Sequence, residues 1–233
     1  MWVSKEVAEI KKQSKAGEKG VGLFGGTFNP IHFGHLRGVE EIRESFGLRE
    51  VIFIPAAMPP HKAAASVLEA RHRLEMVKRA TYSNPYFSTT DIELQRHGKS
   101  YSIDTIRYLL GKYTEDLYFI LGGDAFGEIE TWKEFQQLFS LCNFIVMIRP
   151  ESQTTLLNGQ LQQTLMSVFR YEPEIKAWTH ASGHTLYFKE IAYLDISSTQ
   201  IRELIGKGRS VRYLIPAEVE AYIAQHKLYH IKG

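Results

Sequence analysis

Cysteine is almost absent: Cys142 is the only one in 233 residues. A disulfide framework is excluded, and no cluster of Cys and His has the spacing of a structural zinc site. Long hydrophobic runs are also missing, since none approaches the roughly 18 apolar residues of a membrane span. Charge of one sign is scarce. Lys and Arg number 28 against 26 Asp and Glu, a formal charge of +2. The first twenty residues hold five lysines and three glutamates, which leaves 23 basic and 23 acidic side chains in 21–233. That balance argues against a nucleic-acid partner, which needs a strongly basic surface. It still allows a small anionic ligand held by a few placed cations. Residues 1–20 lack the unbroken apolar stretch of a secretory signal. With a single free cysteine, this predicts a cytoplasmic protein. Val3, Val7 and Ile10 could line one face of a short helix, too small an apolar face for a membrane role.

What is present is an ordinary globular composition, 44% apolar and 23% charged, with strands and helices alternating along the chain. Apolar runs at 21–24, 50–54, 86–92, 116–121 and 143–148 read as strands. Helical patterns read over 68–80 and 102–110, and a first helix follows Pro30 with Leu36, Val39 and Ile42 on one face, ending near Gly47. In the second helix Leu74 and Val77 are expected to face inward. The strands are continuous apolar runs, as in a parallel sheet covered on both faces. The prediction is an α/β fold, a Rossmann-like doubly wound parallel sheet with a small C-terminal helical subregion. Residues 1–20 read as an extension and 21–233 as one domain. Within it, 151–185 reads as a variable insertion with one helix over 156–169, followed by a short strand at 191–194. Helices at 198–205 and 217–226 complete the 196–233 subregion. Open sheets of this kind bind ligands at the carboxyl ends of their strands, and loops follow Phe24, Ile54 and Leu121 there.

The first of those loops carries the strongest chemistry. Gly25-Gly26-Thr27-Phe28-Asn29-Pro30-Ile31-His32-Phe33-Gly34-His35 joins the first strand to the first helix. Its glycines let backbone approach a ligand, and a helix N-terminus suits phosphate. His32 and His35 are three apart, so they share a side of the first turn. Gly34 between them leaves room for a nucleotide against the backbone. The pattern is neither a Gly-x-Gly-x-x-Gly fingerprint nor a P-loop.

Taken with Pro59-Pro60-His61-Lys62, Asp91–Arg96, Ser100–Thr105, Leu121-Gly122-Gly123-Asp124 with Trp132, and Ile196–Arg202, this loop resembles the nucleotidyltransferase superfamily that carries the His-x-Gly-His motif. Within it the chain resembles the bacterial nicotinate-nucleotide adenylyltransferases over about nine-tenths of its length. The resemblance implies transfer of AMP from ATP to nicotinate mononucleotide, with release of pyrophosphate, in NAD biosynthesis. Such transfers rest on alignment and charge neutralisation more than on covalent help. Thr27, His32 and His35 are then expected to position the α-phosphate, and Lys62 and Arg202 to act on the phosphates beside them. Gly25, Gly26 and Phe28 would pack against the nucleotide. Adenine and ribose would lie near Gly34 and Ile196, Ser197, Ser198 and Thr199, with Gly122 and Asp124 also on the ATP side.

His61, Lys62 and Arg149 would meet acceptor phosphate, and Asp124 a ribose hydroxyl. Trp132 would stack on the pyridine ring, with Ser102 and the Lys133 backbone near the pyridine carboxylate and Tyr101 beside this pocket. Mg²⁺, bound through ATP phosphates, is the implied cofactor, with no dedicated protein cage. Read without the resemblance, the same residues have plainer roles. Ser197-Ser198-Thr199 could simply cap a helix, Asp124 could cap the next one, and His61-Lys62 could be solvated surface. Position 29 is Asn where the resembling family more often has Asp, and Ser102 stands for a common Thr. An adenylyltransferase for nicotinamide mononucleotide or another phosphorylated acceptor stays open, as does a non-catalytic nucleotide-binding regulator. The oligomeric state is open too, a homo-oligomer included.

Overall fold

Strands that are apolar on both sides can be stable only with packing on both faces, and that demand organises the chain. The structure, a computed structural model, describes residues 20–60, 67–96, 98–148 and 163–230. The strands are β1 (Val21–Gly26), β2 (Glu50–Pro55), β3 (Phe87–Thr89), β4 (Leu117–Gly122), β5 (Asn143–Ile148), β6 (Phe169–Glu172), β7 (Ala177–His180) and β8 (Thr185–Glu190). They form one sheet in the order β3-β2-β1-β4-β5-β8-β7-β6. The six strands from β3 to β8 in that order pair in parallel. The last two join antiparallel.

Alternate residues serve opposite cores. Val21, Leu23, Ile52, Ile54, Phe119, Leu121, Phe144 and Val146 bury on one face. There they meet Ile103, Ile106 and Leu109 of α3 (Ser102–Leu110) and Phe126 of α4 (Gly123–Gly127). Phe24, Val51, Phe53, Ile120 and Ile145 bury on the other face. Their partners come from α1 (Phe33–Phe46), α2 (Ala70–Thr81), α7 (Ser198–Gly206) and α8 (Ala217–Gln225). A short α5 (Phe135–Leu138) and α6 (Gln163–Met166) complete the α-helices among the described residues. α1 stops where Gly47 adopts the left-handed conformation (φ 59°) and its amide reaches the Arg43 and Glu44 carbonyls. In α2 the inward residues are Met76 and Val77 with Arg73, and Leu74 is only half-buried.

The doubly wound parallel sheet is therefore present, with four differences from expectation. Residues 169–180 extend it as an antiparallel hairpin, turned by Pro173–Lys176 with the Lys176 amide on the Pro173 carbonyl (3.3 Å). Of the helix predicted over 156–169, residues 156–162 lie outside the described set; only α6 is helical, and Phe169 already opens β6. No strand forms at 191–194. The strand lies earlier, as β8, whose polar ends hide a core of Leu186, Tyr187 and Phe188. The predicted strand over 86–92 is cut to three residues, because the chain turns away at Asp91, where the Leu94 amide meets the Asp91 carbonyl. The residues 1–20 read as an extension are described only at Gly20.

The chain runs outward from β1 to β2 and β3, then returns to β4 beside β1. The strand order thus reverses between the parallel strands β1 and β4, and a crevice opens beyond their carboxyl ends. Under that crevice lies an aromatic cluster in which fully buried Phe53 meets Phe24 (ring centroids 5.5 Å), Phe28 (6.0 Å) and Phe87 (4.9 Å). Phe53→Ala should cost about 3–5 kcal/mol in urea unfolding. A loss below about 1 kcal/mol would show that this cluster is not a packed core.

Candidate active site

Six residues after β1 must turn the chain from strand to helix without a ladder to satisfy their polar groups. Gly26 is needed because Phe28 folds back over it: a Cβ there would lie 2.7 Å from the Phe28 ring. Donors from distant elements then occupy the loop's acceptors. Arg73 Nη1 donates to the Thr27 carbonyl (2.8 Å). Arg202 Nη1 donates to the Asn29 carbonyl (2.8 Å), and Ser198 Oγ to the Pro30 carbonyl (2.8 Å). Asn29 Oδ1 accepts from the Tyr229 hydroxyl (2.9 Å) and the Leu68 amide (3.4 Å). The side chain at position 29 thus works as an acceptor, which either Asn or Asp supplies.

The two histidines close the loop. His32 is the N-cap of α1, and its amide donates to Nδ1 of His35 (3.2 Å). Their rings stack, with centroids 3.6 Å apart and planes 29° apart. His35 rests edge-on against Phe28 (5.3 Å). Phe28 itself is 2% exposed, so its side chain supports His35 from below and offers no open face to a nucleotide; this corrects the expected packing. A Cβ on Gly34 would fall 3.0 Å from His32 Nδ1, so a side chain there would press on the stacked ring. His32 is 6% exposed, and its Nδ1 is buried with no hydrogen-bond partner. Burial pulls its pKa from 6.5 to about 4, so the ring is neutral at pH 7.

Two cavities open over the crevice and share Gly122. One, of about 320 Å³, is lined by His32, Gly34, His35, Gly123, Asp124, Ile196 and Ser197 among others. Asp124 lies in the first turn of α4, whose N-cap is Gly122, so it is not the cap. The other, of about 300 Å³, is lined by Gly25, Gly26, Thr27, Tyr101, Ser102, Trp132 and Lys133, with Pro59, Pro60, Glu93 and Ser100. Trp132 is half-buried and held edge-on by Phe119 (6.1 Å, 88°). The Lys133 ammonium is committed to Asp104 (3.1 and 3.2 Å) and lies over the Tyr101 ring.

At the start of α7, Ser197 does cap the helix, accepting from the Gln200 amide (3.1 Å), while Arg202 reaches Thr199 Oγ1 (3.1 Å) as well as the loop. His61, Lys62 and Arg149 lie outside the described residues. Sequence reasoning missed Glu93, Arg73 and Tyr229. Glu93 belonged to a matching block but was given no role; it is buried in the wall of the second cavity. Its carboxyl is raised by burial against the pull of Thr105, Ser100, Arg96 and Arg73. Thr105 Oγ1 donates to it (2.7 Å). Tyr229, 200 residues from Asn29, carried no local signal. Among the described residues no three His, Cys, Asp or Glu gather as a metal site, and no helix is long and apolar enough to cross a membrane.

Comparison with known proteins finds a family, relatives and a fold. The model of the family described as Cytidylyltransferase-like matches residues 23–204. A protein of Citrifermentans bemidjiense named probable nicotinate-nucleotide adenylyltransferase is 48% identical over 210 residues, 90% of this chain and 97% of its own. One of the same name from Geotalea daltonii is 46% identical over 211 residues, 90% of this chain and 98% of its own. The Plasmodium falciparum nicotinic acid mononucleotide adenylyltransferase complexed with NaAD has the same fold. It superposes with a TM-score of 0.67 over 91% of this chain and 98% of that one, at 19% identity.

The buried neutral His32 makes stability depend on acid. Between its folded pKa of about 4 and its unfolded 6.5, the unfolded chain binds more protons, so stability falls as pH drops through that window. From pH 7 to pH 5 the loss from this group should be about 2 kcal/mol in urea unfolding. His32→Asn should remove that slope; an unchanged slope would place the acid sensitivity elsewhere.

Proposed function

This chain belongs to the cytidylyltransferase-like family, and from that membership and its paired cavities we propose that it is a nicotinate-nucleotide adenylyltransferase. It transfers AMP from ATP to nicotinate mononucleotide, giving deamido-NAD and pyrophosphate in NAD biosynthesis. The observation that carries this reading is the meeting of two unlike cavities at Gly122, beyond the carboxyl ends of β1 and β4. One has the histidine pair and the Asp124 carboxylate; the other has an aromatic wall. A nucleotide in each brings two phosphates to the shared rim.

There an oxygen of the acceptor phosphate attacks the α-phosphorus. The new O–P bond forms as the bond to the bridging oxygen breaks, and pyrophosphate leaves with the electron pair. The protein's part is alignment and charge. Thr27 and His35 hold the α-phosphate, and His32, neutral, can donate one N–H without adding charge. Arg202, already braced on the Asn29 carbonyl, turns its remaining donors to the β- and γ-phosphates. Asp124 accepts from a ribose hydroxyl. In the second cavity Trp132 stacks on pyridine, while Ser102 and the Lys133 backbone take its carboxylate. The Lys133 ammonium is spent on Asp104, which is consistent with a backbone role.

The roles of His61, Lys62 and Arg149 rest on the sequence resemblance. Mg²⁺ bound to the triphosphate supplies further charge neutralisation. The lining fits delivery through phosphate oxygens, since Asp124 is the one carboxylate facing the ATP-side cavity among the described residues. On the same reading 21–233 is one catalytic domain, 1–20 an extension, and the reaction is cytoplasmic; the function is compatible with a homo-oligomer.

A pyrophosphate-release assay with ATP and Mg²⁺ tests the reading. Nicotinate mononucleotide should turn over faster than nicotinamide mononucleotide, and silence with both would sink it. His35→Ala should lower kcat by about 10²–10³-fold with the fold retained. Trp132→Ala should raise the acceptor KM about tenfold and leave that of ATP alone; an effect confined to ATP would refute the stacking role.

A further inference from the structure

Arg73 of α2 is the most buried charged side chain among the described residues, at 1% exposure, and no carboxylate lies within ion-pair distance of it there. Buried charge is costly, and burial works against its protonated form, while Tyr229 and Glu93 act for it. Its guanidinium instead donates to three carbonyls: Leu68 (Nε, 2.7 Å), Thr27 (Nη1, 2.8 Å) and Ala57 (Nη2, 3.0 Å). Two of these lie where the sheet ends. The last backbone bond between the two strands runs from the Ala56 amide to the Gly26 carbonyl (2.9 Å). One residue further, at Thr27 and Ala57, the two loops are bridged by Arg73 in place of a ladder. The opposite side of Ala57 is held as well, its amide donating to Ser100 Oγ (2.9 Å).

We propose that Arg73 is a positioning residue for nucleotidyl transfer: it locks the loops after β1 and β2 at the spacing the phosphates require and adds a fixed positive charge behind Thr27. Thr27, Pro59, Pro60 and Ser100 all line the cavity assigned to the acceptor, so the span that Arg73 sets lies at the wall of that cavity. The planar fork reaches two diverging carbonyls at once, which a lysine ammonium cannot reproduce. Glu93 offsets this charge from beyond ion-pair distance, and a guanidinium bonded only to carbonyls suits a site that receives anions. The inference rests on the functional reading above.

The test measures kcat and both KM values for wild type, Arg73→Lys and Arg73→Gln, corrected for the folded fraction from thermal melts. Arg73→Lys should lower kcat at least tenfold per folded molecule while the ATP KM stays within about threefold, and Arg73→Gln should also raise the acceptor KM. A lowered melting temperature with unchanged kcat would overturn the proposal and leave Arg73 a stabilising residue. If Arg73→Lys does not fold, Ser100→Ala decides, since it loosens Ala57 from the other side: a kcat lowered at least threefold supports the loop lock, and an unchanged kcat overturns it. Wild type without turnover would instead remove the functional reading itself.

Discussion

A parallel strand that ends at a ligand site leaves behind a loop whose carbonyls have lost their ladder, and each must still find a donor. In this protein the loop from Thr27 to His32 solves that problem with side chains from the far ends of the chain. Arg73 arrives from α2, Ser198 and Arg202 from α7, and Tyr229 from beyond α8. Their demand for acceptors shapes the loop, and the loop in turn sets where the histidine pair stands. The glycines follow from the same packing: Gly26 yields to the Phe28 ring and Gly34 to the His32 ring.

The arrangement separates two kinds of charge. Surface charge is balanced, and the +2 excess equals that of residues 1–20. Site charge is local and made by burial. His32 is kept neutral by desolvation, Glu93 is raised by it, and Arg73 is bonded to backbone carbonyls in place of an ion pair. A cleft with that composition is polar without being saturated, which suits ligands that bring their own phosphates and cation.

Legibility in the sequence followed the range of the interactions. α3 and β5 were readable to the residue, because apolar periodicity and a bounding Pro or Gly are local signals. The β6–β7 hairpin was not, since its four-residue strands at the sheet edge bury only Phe169 and Ala177. Phe28 looked like a ligand contact from its place in the motif, but its positive φ of 47° turns it into the core. Trp132, Tyr101 and Ser102 were identified through resemblance, and the fold brings them around one cavity.

By itself the sequence determined the alternation of strands and helices, the carboxyl-end loops and the histidine motif, all written within short windows. Only the tertiary structure decided which cations face ligand and which face backbone. Arg73 sits on a helix among other charged residues, and nothing in its neighbours distinguishes it from Arg71 or Arg79 on the solvent side. Its role comes from lying where two strands diverge, 46 residues from Thr27 in the chain. Burial and hydrogen-bond partnership are properties of the packed molecule, and they cannot be assigned until distant segments meet.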